Sequence, residues 1–300
     1  MSALLLLLSC APSTPEPEAL EWVPLAEGLP TALLSVYGRS AEDVWVLGGR
    51  LEDGALLLHW DGDRWTRIPG SPRNADLWWA WLEEDRAVWL AGSGGLVARY
   101  DRATTTWTET VLDPDATLFG LWGSAPDDLW AVGSQVTVTS NGARAWHFDG
   151  ATWSPADLPE EARATSALFK VWGPAADDVW ACGAHGTILH FDGRTWTTEA
   201  TPTVTELFTL SGGAAGTFAV GGAGNGTILR RTPQGWVDES PPYASTIPGV
   251  HVGVDGPIAA VEEGAVVEGV GAQGAARGPG PAFGVRSEEH TSELQSPCNL

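Results

Sequence analysis

Leu118-Phe-Gly-Leu-Trp-Gly-Ser-Ala-Pro-Asp-Asp-Leu-Trp-Ala-Val-Gly133 and Leu168-Phe-Lys-Val-Trp-Gly-Pro-Ala-Ala-Asp-Asp-Val-Trp-Ala-Cys-Gly183 are one phrase written twice, and its reading decides the fold. Weaker copies begin at Leu33, Leu77 and Leu207, and each copy is followed by a segment that ends in a tryptophan, as in Gly186-Thr-Ile-Leu-His-Phe-Asp-Gly-Arg-Thr-Trp196. The closing tryptophans Trp22, Trp65, Trp107, Trp153, Trp196 and Trp236 stand 40 to 46 residues apart. Self-similarity at that period marks a repeat architecture in which each unit is one supersecondary structure.

Inside a unit, short runs rich in Val, Leu, Trp and Thr alternate in polarity and are punctuated by Gly, Pro and Asp, which is strand period without any sustained helical stripe. In the unit that starts at Leu168 the strands are expected at Leu168 to Trp172, Val179 to Cys182, Thr187 to Phe191 and Thr195 to Thr198. Asp192-Gly193 predicts a two-residue hairpin of type I′, with positive φ at both positions. Asp177-Asp178 predicts a turn whose carboxylate caps free backbone N–H groups. Four antiparallel strands per repeat predict an all-β fold, a β-propeller with one four-stranded blade per unit. Units 33 to 76, 77 to 117, 118 to 167, 168 to 206 and 207 to 246, with a degenerate sixth from Ile247 onward, make six blades, and a seventh is possible. Glu21-Trp22-Val23-Pro24-Leu25 matches a fourth strand with no other strands before it, so this N-terminal strand is expected to close the last blade and cover its edge.

The phrase Trp-Gly-Ser-Ala-Pro-Asp-Asp-Leu-Trp-Ala-Val-Gly, followed by His-Phe-Asp-Gly-x-x-Trp, resembles bacterial extracytoplasmic propellers of the broad sialidase-like and photosystem-assembly-factor-like repeat group. The resemblance covers residues 20 to 285 and implies the fold more than a function. True Asp-boxes read Ser-x-Asp-x-Gly-x-x-Trp, whereas here Asp61-Gly62, Asp149-Gly150 and Asp192-Gly193 are adjacent.

The two ends are read apart from the fold. Residues 1–9 resemble a lipoprotein-type signal peptide whose stop, Leu7-Leu8-Ser9-Cys10, is similar to a lipobox, which implies lipidation at Cys10. Residues 10–19 read as a Pro-rich tether, residues 20–285 as the propeller, and residues 286–300 as a non-native tail similar to a translated sequencing adapter.

The formal charge is −22, with 38 acidic against 16 basic residues, which argues against nucleic acid and anionic membrane surfaces as partners. Cys10, Cys182 and Cys298 are too few and too dispersed for a disulfide framework or a metal site. Cys182 reads as a small buried hydrophobe.

Residues shared by every repeat are expected to be structural. Trp45, Trp89, Trp130 and Trp180 occupy one repeated position and the closing tryptophans another, so both sets are assigned to packing between blades. His59, His147 and His190 recur ahead of the Asp-Gly turn and are likewise structural; no cofactor, metal site or catalytic residue is expected. A sialidase-type site would need clustered arginines and a nucleophilic Tyr, but the arginines are dispersed and only Tyr37, Tyr100 and Tyr243 are present. Binding is expected where the repeats differ: at the rim of elaborated loops, Arg50 to Gly54, Gln135 to Arg144 and Pro155 to Thr165, and in a variable column of the first strand, Ser35, Trp79, Gly120, Lys170, Thr209 and Gly249. Arg50, Trp79, Arg144, Arg163 and Lys170 are the candidate binding residues, for an anionic or polar partner.

The function expected is therefore a non-catalytic envelope lipoprotein, a monomer held to the membrane only through lipid on Cys10, whose propeller is a protein-interaction or assembly scaffold for another envelope protein. The alternative is a carbohydrate-binding propeller or an inactive relative of a glycoside hydrolase, with a glycan as partner. That alternative requires stacking surfaces outside the packing columns, at Trp60, Trp78, Trp79 and Trp146.

Overall fold

The computed structural model describes residues 28–136, 141–241, 246–253, 256–260 and 266–268. The first sheet is β1 (Leu33–Ser40), β2 (Asp43–Gly48), β3 (Leu57–Trp60) and β4 (Trp65–Arg67); the second is β5 (Leu77–Glu83), β6 (Ala87–Gly92), β7 (Leu96–Asp101) and β8 (Thr106–Val111). The third comprises β9 (Ala116–Ala125), β10 (Asp128–Val136), β11 (Asn141–Phe148) and β12 (Trp153–Pro155), and is followed by a short helix, α1 (Glu160–Thr165). The fourth holds β13 (Leu168–Ala175), β14 (Asp178–Gly183), β15 (Ile188–Phe191) and β16 (Trp196–Glu199); the fifth holds β17 (Leu207–Gly213), β18 (Gly216–Gly221), β19 (Thr227–Thr232) and β20 (Gly235–Asp238). A sixth sheet shows three strands among the described residues, β21 (Gly249–Gly253), β22 (Gly256–Ala260) and β23 (Val266–Glu268).

Every sheet is an antiparallel meander, and the first strands β1, β5, β9, β13, β17 and β21 are neighbours in that order, so they form the inner arc of a β-propeller. The first strands of the first, second, fourth and fifth sheets begin at the residues that open those repeats, while the third sheet begins at Ala116, two residues before its expected start. Glu21 to Leu25, expected to close the last blade, lie outside the described residues, as do Cys10, residues 1–9 and 10–19, and residues 286–300. Val36 in β1 is 63% exposed, whereas its counterparts Ala80, Leu121, Val171 and Leu210 are buried against the preceding sheet; no described residue covers β1 in that way.

What wedges successive sheets together is a pair of aromatic columns. The second strands of the first four sheets each contribute a buried indole, Trp45, Trp89, Trp130 and Trp180, and the last three of these meet the fourth-strand tryptophan of the next sheet. Trp130 meets Trp196 edge to face at 5.1 Å between ring centroids, Trp180 meets Trp236 at 5.7 Å, and Trp89 meets Trp153 at 6.5 Å. Trp45 reaches Tyr100, which in turn lies 4.9 Å from Trp107. Both columns therefore serve packing, and edge-to-face geometry adds to the area they bury.

A carboxylate holds the indole N–H of Trp45, Trp89 and Trp180, whereas that of Trp130 has no hydrogen-bond partner among the described residues. Asp178 opens β14, so by the period of two its side chain shares a face with Trp180; its Oδ1 accepts the Trp180 indole N–H at 2.7 Å and lies 2.8 Å from Nε2 of His190, which pairs with Trp180 across the sheet. Asp43 makes the same contacts with Trp45 and His59, and Asp128 with His147. The expected backbone cap at Asp177-Asp178 is thus corrected: alternation turns Asp178 away from the turn and onto the ring. Burial pushes the Asp43 carboxyl up, but bonds from His59, Arg102 and Trp45 outweigh it and hold the group below the ordinary carboxylate range. In the second sheet Glu83 and Arg99 replace the Asp and His, with Glu83 accepting from Trp89 at 2.9 Å.

The cap appears instead at the hairpin between the third and fourth strands. Asp192 Oδ1 accepts from the backbone N–H groups of Arg194 and Thr195, each at 2.9 Å, and those bonds hold its carboxyl below the ordinary range. Phe191 pairs with Trp196, so the loop has four residues; Gly193 has φ +86° while Asp192 is not left-handed. The expected two-residue type I′ turn is corrected accordingly: a side chain that caps its own loop supports the longer form with a single left-handed residue.

The glycine that ends the phrase has a steric origin. In the first five sheets the first strand carries one extra residue opposite the second: Leu168 pairs with Gly183 and Lys170 with Cys182, leaving Phe169 unpaired. The same bulge falls at Leu34, Trp78, Phe119 and Phe208. It pushes the preceding backbone carbonyl toward the glycine, so a Cβ at Gly48 or Gly92 would stand 2.6 Å from the carbonyl oxygen of Ala32 or Asp76, and one at Gly133, Gly183 or Gly221 nearer still. Gly183→Ala is accordingly expected to cost about 1–3 kcal/mol in chemical denaturation. Gly249→Ala, where a Cβ meets nothing within 4 Å among the described residues, is expected to stay within about 0.5 kcal/mol. Trp180→Ala, which empties one wedge, is expected to cost about 3–5 kcal/mol.

Candidate functional site

A β-bulge re-aims a side chain, and here five sheets use it at one position. The unpaired residues Trp78, Phe119, Phe169 and Phe208 are half-buried and touch in series, with centroids 5.3, 5.7 and 6.1 Å apart. Half-buried Leu34 holds the same position in the first sheet. The result is an apolar arc along the inner strands. Leu34, Trp78, Phe169 and Phe208 are second in their strands and Phe119 is fourth in its own, so the arc lies next to the loops that enter from the preceding sheet.

One residue further along, the variable column joins two candidates. Nζ of Lys170, in the fourth sheet, lies on the ring face of Trp79, in the second. Gly120 makes this crossing possible, because a Cβ there would stand 3.1 Å from Cα of Lys170 and 2.9 Å from Val132. Tyr37 packs edge-on against the same indole at 5.7 Å. Lys170 is only 7% exposed and its amine has no hydrogen-bond partner among the described residues. Burial drives its pKa well below a lysine's ordinary 10.5, opposed weakly by Cys182 across the sheet. Cys182 is itself fully buried, its thiol directed at the Leu207 carbonyl at 3.3 Å, and burial pushes its pKa up. The pair is thus an uncharged, unreactive thiol beside an amine stripped of water.

The three arginines lie elsewhere. Arg144 and Arg163 line a cleft of about 510 Å³ beside α1, which packs on β11 and so stands away from the inner strands. Arg144 donates to the Gln135 side chain and to the Ala143 carbonyl, and Arg163 lies 3.7 Å from Asp157. Arg50 is exposed on the loop after β2, with its backbone N–H on Asp76. The five candidates therefore divide into three places: Trp79 with Lys170, Arg144 with Arg163, and Arg50. Of the four tryptophans that glycan stacking required, Trp146 is 6% exposed and Trp60, Trp78 and Trp79 are half-buried.

Sequence reasoning selected the column that varies and passed over the arc one residue before it. Its signal was a Leu-Trp or Leu-Phe pair at the head of the phrase in the second to fifth units, at Leu77, Leu118, Leu168 and Leu207. Alternation in an unbroken strand would have turned those rings between the blades; the bulge is what sets them on the inner arc.

No family model and no curated protein matches this chain. Solved structures do. The chain is similar to YCF48 from Cyanidioschyzon merolae, at TM-score 0.57 and 16% identity over 80% of this chain and 83% of that one. It is also similar to YCF48 bound to D1 peptide, at TM-score 0.50 and 15% identity over 64% of this chain and 62% of that one. A third is the extracellular domain of the hybrid two component system BT4673 from B. thetaiotaomicron, at TM-score 0.58 and 12% identity, where the match spans 79% of this chain and 31% of the other. At these identities the likeness establishes the propeller fold.

Because burial favours the neutral amine, Lys170 gives up its proton at lower pH in the folded than in the unfolded chain, so its own contribution to stability should rise with pH up to 10.5, above which both states of this group are neutral. Lys170→Met removes the desolvated amine; urea titrations across that range should show a variant more stable than wild type at neutral pH, with the slope flattened.

Proposed function

We propose that this propeller is a non-catalytic interaction scaffold whose mouth, marked by the arc Trp78–Phe119–Phe169–Phe208, receives a segment of another protein. The observation that carries the reading is the bulge repeated in five sheets, which spends regular strand pairing to place half-buried rings side by side. Apolar surface held open to water by the backbone itself is the usual mark of a contact site. YCF48 bound to D1 peptide offers a parallel, a propeller of like fold that takes a peptide. Trp79 and Lys170 stiffen the arc, and the cleft at Arg144 and Arg163 and the exposed loop at Arg50 are further surfaces for polar contacts.

In the same reading the chain is an extracytoplasmic lipoprotein tethered through Cys10, as its first ten residues suggest, and the extracellular domain among the structures of like fold is compatible with that placement. Among the described residues no helix is long and apolar enough to cross a membrane.

The test is cross-linking in the native envelope with a photoreactive group at Phe169. One defined protein adduct is expected. It should be lost, at least tenfold, in a Phe119→Ser variant that melts within a few degrees of wild type. An adduct unaffected by Phe119→Ser, or turnover of a glycoside panel by the purified protein, would refute the reading.

A further inference from the structure

We infer that the outer edge of the second sheet, β8, is a docking edge for an extended polypeptide strand, distinct from the mouth. Among the fourth strands β8 has six residues, whereas β4 and β12 have three and β16 and β20 have four. Propellers keep such edges short because unpaired N–H and C=O groups invite another strand. β12 ends on Pro155, which has no N–H to offer, and β16 is approached by α1, where the Thr198 hydroxyl donates to Glu161. Among the described residues β8 has neither device.

The register shows which groups are free. Leu112 donates to the carbonyl of Gly95, and the alternation of an antiparallel ladder then turns Thr110, Thr108 and Thr106 toward β7. Trp107, Glu109 and Val111 therefore present their N–H and C=O groups outward, with no backbone partner among the described residues. From Thr108 to Val111 the strand is exposed, Val111 at 58%.

A groove of about 910 Å³ runs beside this edge, between the second and third sheets. It coincides with the widest of the three Trp–Trp wedges, Trp89–Trp153 at 6.5 Å, and with the sheet where Glu83 and Arg99 replace the Asp and His. Thr108 and Thr110 form one wall, and Phe148 and Trp153 the other. Arg144 borders it, and no carboxylate pairs with this guanidinium among the described residues, in a chain of net charge −22. Arg99 also lines it but is occupied by Glu83 and Asp101.

The occupant that fits is an extended segment that pairs with β8 through its backbone, sets alternate apolar side chains against Phe148 and Trp153, and brings one carboxylate to Arg144. Backbone pairing supplies affinity and the alternate side chains supply selectivity.

The probe is a synthetic eight-residue peptide of alternating Val and Thr with one Glu, compared with its Lys counterpart, a version interrupted by Pro, and a cello-oligosaccharide. Amide hydrogen exchange on the wild-type protein should show protection of Trp107, Glu109 and Val111 with the Glu peptide. Titration of the Trp fluorescence should give an affinity at least tenfold above that of the Lys and Pro peptides. Glu109→Pro removes an outward N–H while leaving the β7 ladder intact, and should lower affinity at least tenfold. Arg144→Gln, which leaves β8 untouched, should abolish the preference for Glu over Lys. Binding of no peptide, protection at the mouth instead of β8, or displacement by the oligosaccharide would each overturn the proposal.

Discussion

The indole wedge between neighbouring sheets is the interaction on which the rest of this molecule depends. A small antiparallel meander buries too little to stand alone, and its faces find cover only against the next meander. Trp130 against Trp196, Trp180 against Trp236 and Trp89 against Trp153 supply that cover with rigid, wide rings at three successive joints. The carboxylates Asp43 and Asp178 make the wedge directional, because an indole whose N–H is held cannot rotate out of the joint.

A scaffold built in this way leaves its inner strands free to carry something else. The bulge interrupts the first strand without touching the wedge, which is formed by second and fourth strands. Gly133, Gly183 and Gly221 accommodate the displaced backbone, and the bulged rings then lie along the inner arc. Packing and presentation are thereby assigned to different strands of the same forty-residue unit. Variation at Trp79, Gly120 and Lys170 modifies the arc locally: a missing side chain in one blade makes room for a long one from the next.

Irregular joints carry the second surface. Where Glu83 and Arg99 stand in place of Asp and His, the wedge is wider, a groove accompanies it, and the adjoining edge strand is long. These features coincide at one joint, and all of them affect which groups face water rather than whether the sheets hold together.

Much of the fold was legible because it rests on repeated local chemistry. Tryptophans at even spacing, strand-length apolar runs and Asp-Gly turns identify blades and their boundaries, since each is determined within a few residues of chain. The Asp-Gly loop type and the partner of Asp178 were not legible: the Asp192 carboxylate chooses between capping its own loop and leaving a tighter turn, and Asp178 is fixed by Trp180 together with His190 across the sheet, so residue preference alone does not decide either. Nor could the sequence say which candidates lie together, since Arg50, Arg144 and Arg163 share a residue type and a loop class but not all one location. By itself the sequence determined the periodic frame, because wedge and turn residues recur at matching positions in most units. Only the tertiary structure decided that Phe119 and Phe169 lie along the inner arc, that Lys170 rests on Trp79, and that β8 keeps a free edge, because bulges, crossings between sheets and edge exposure arise from how units meet.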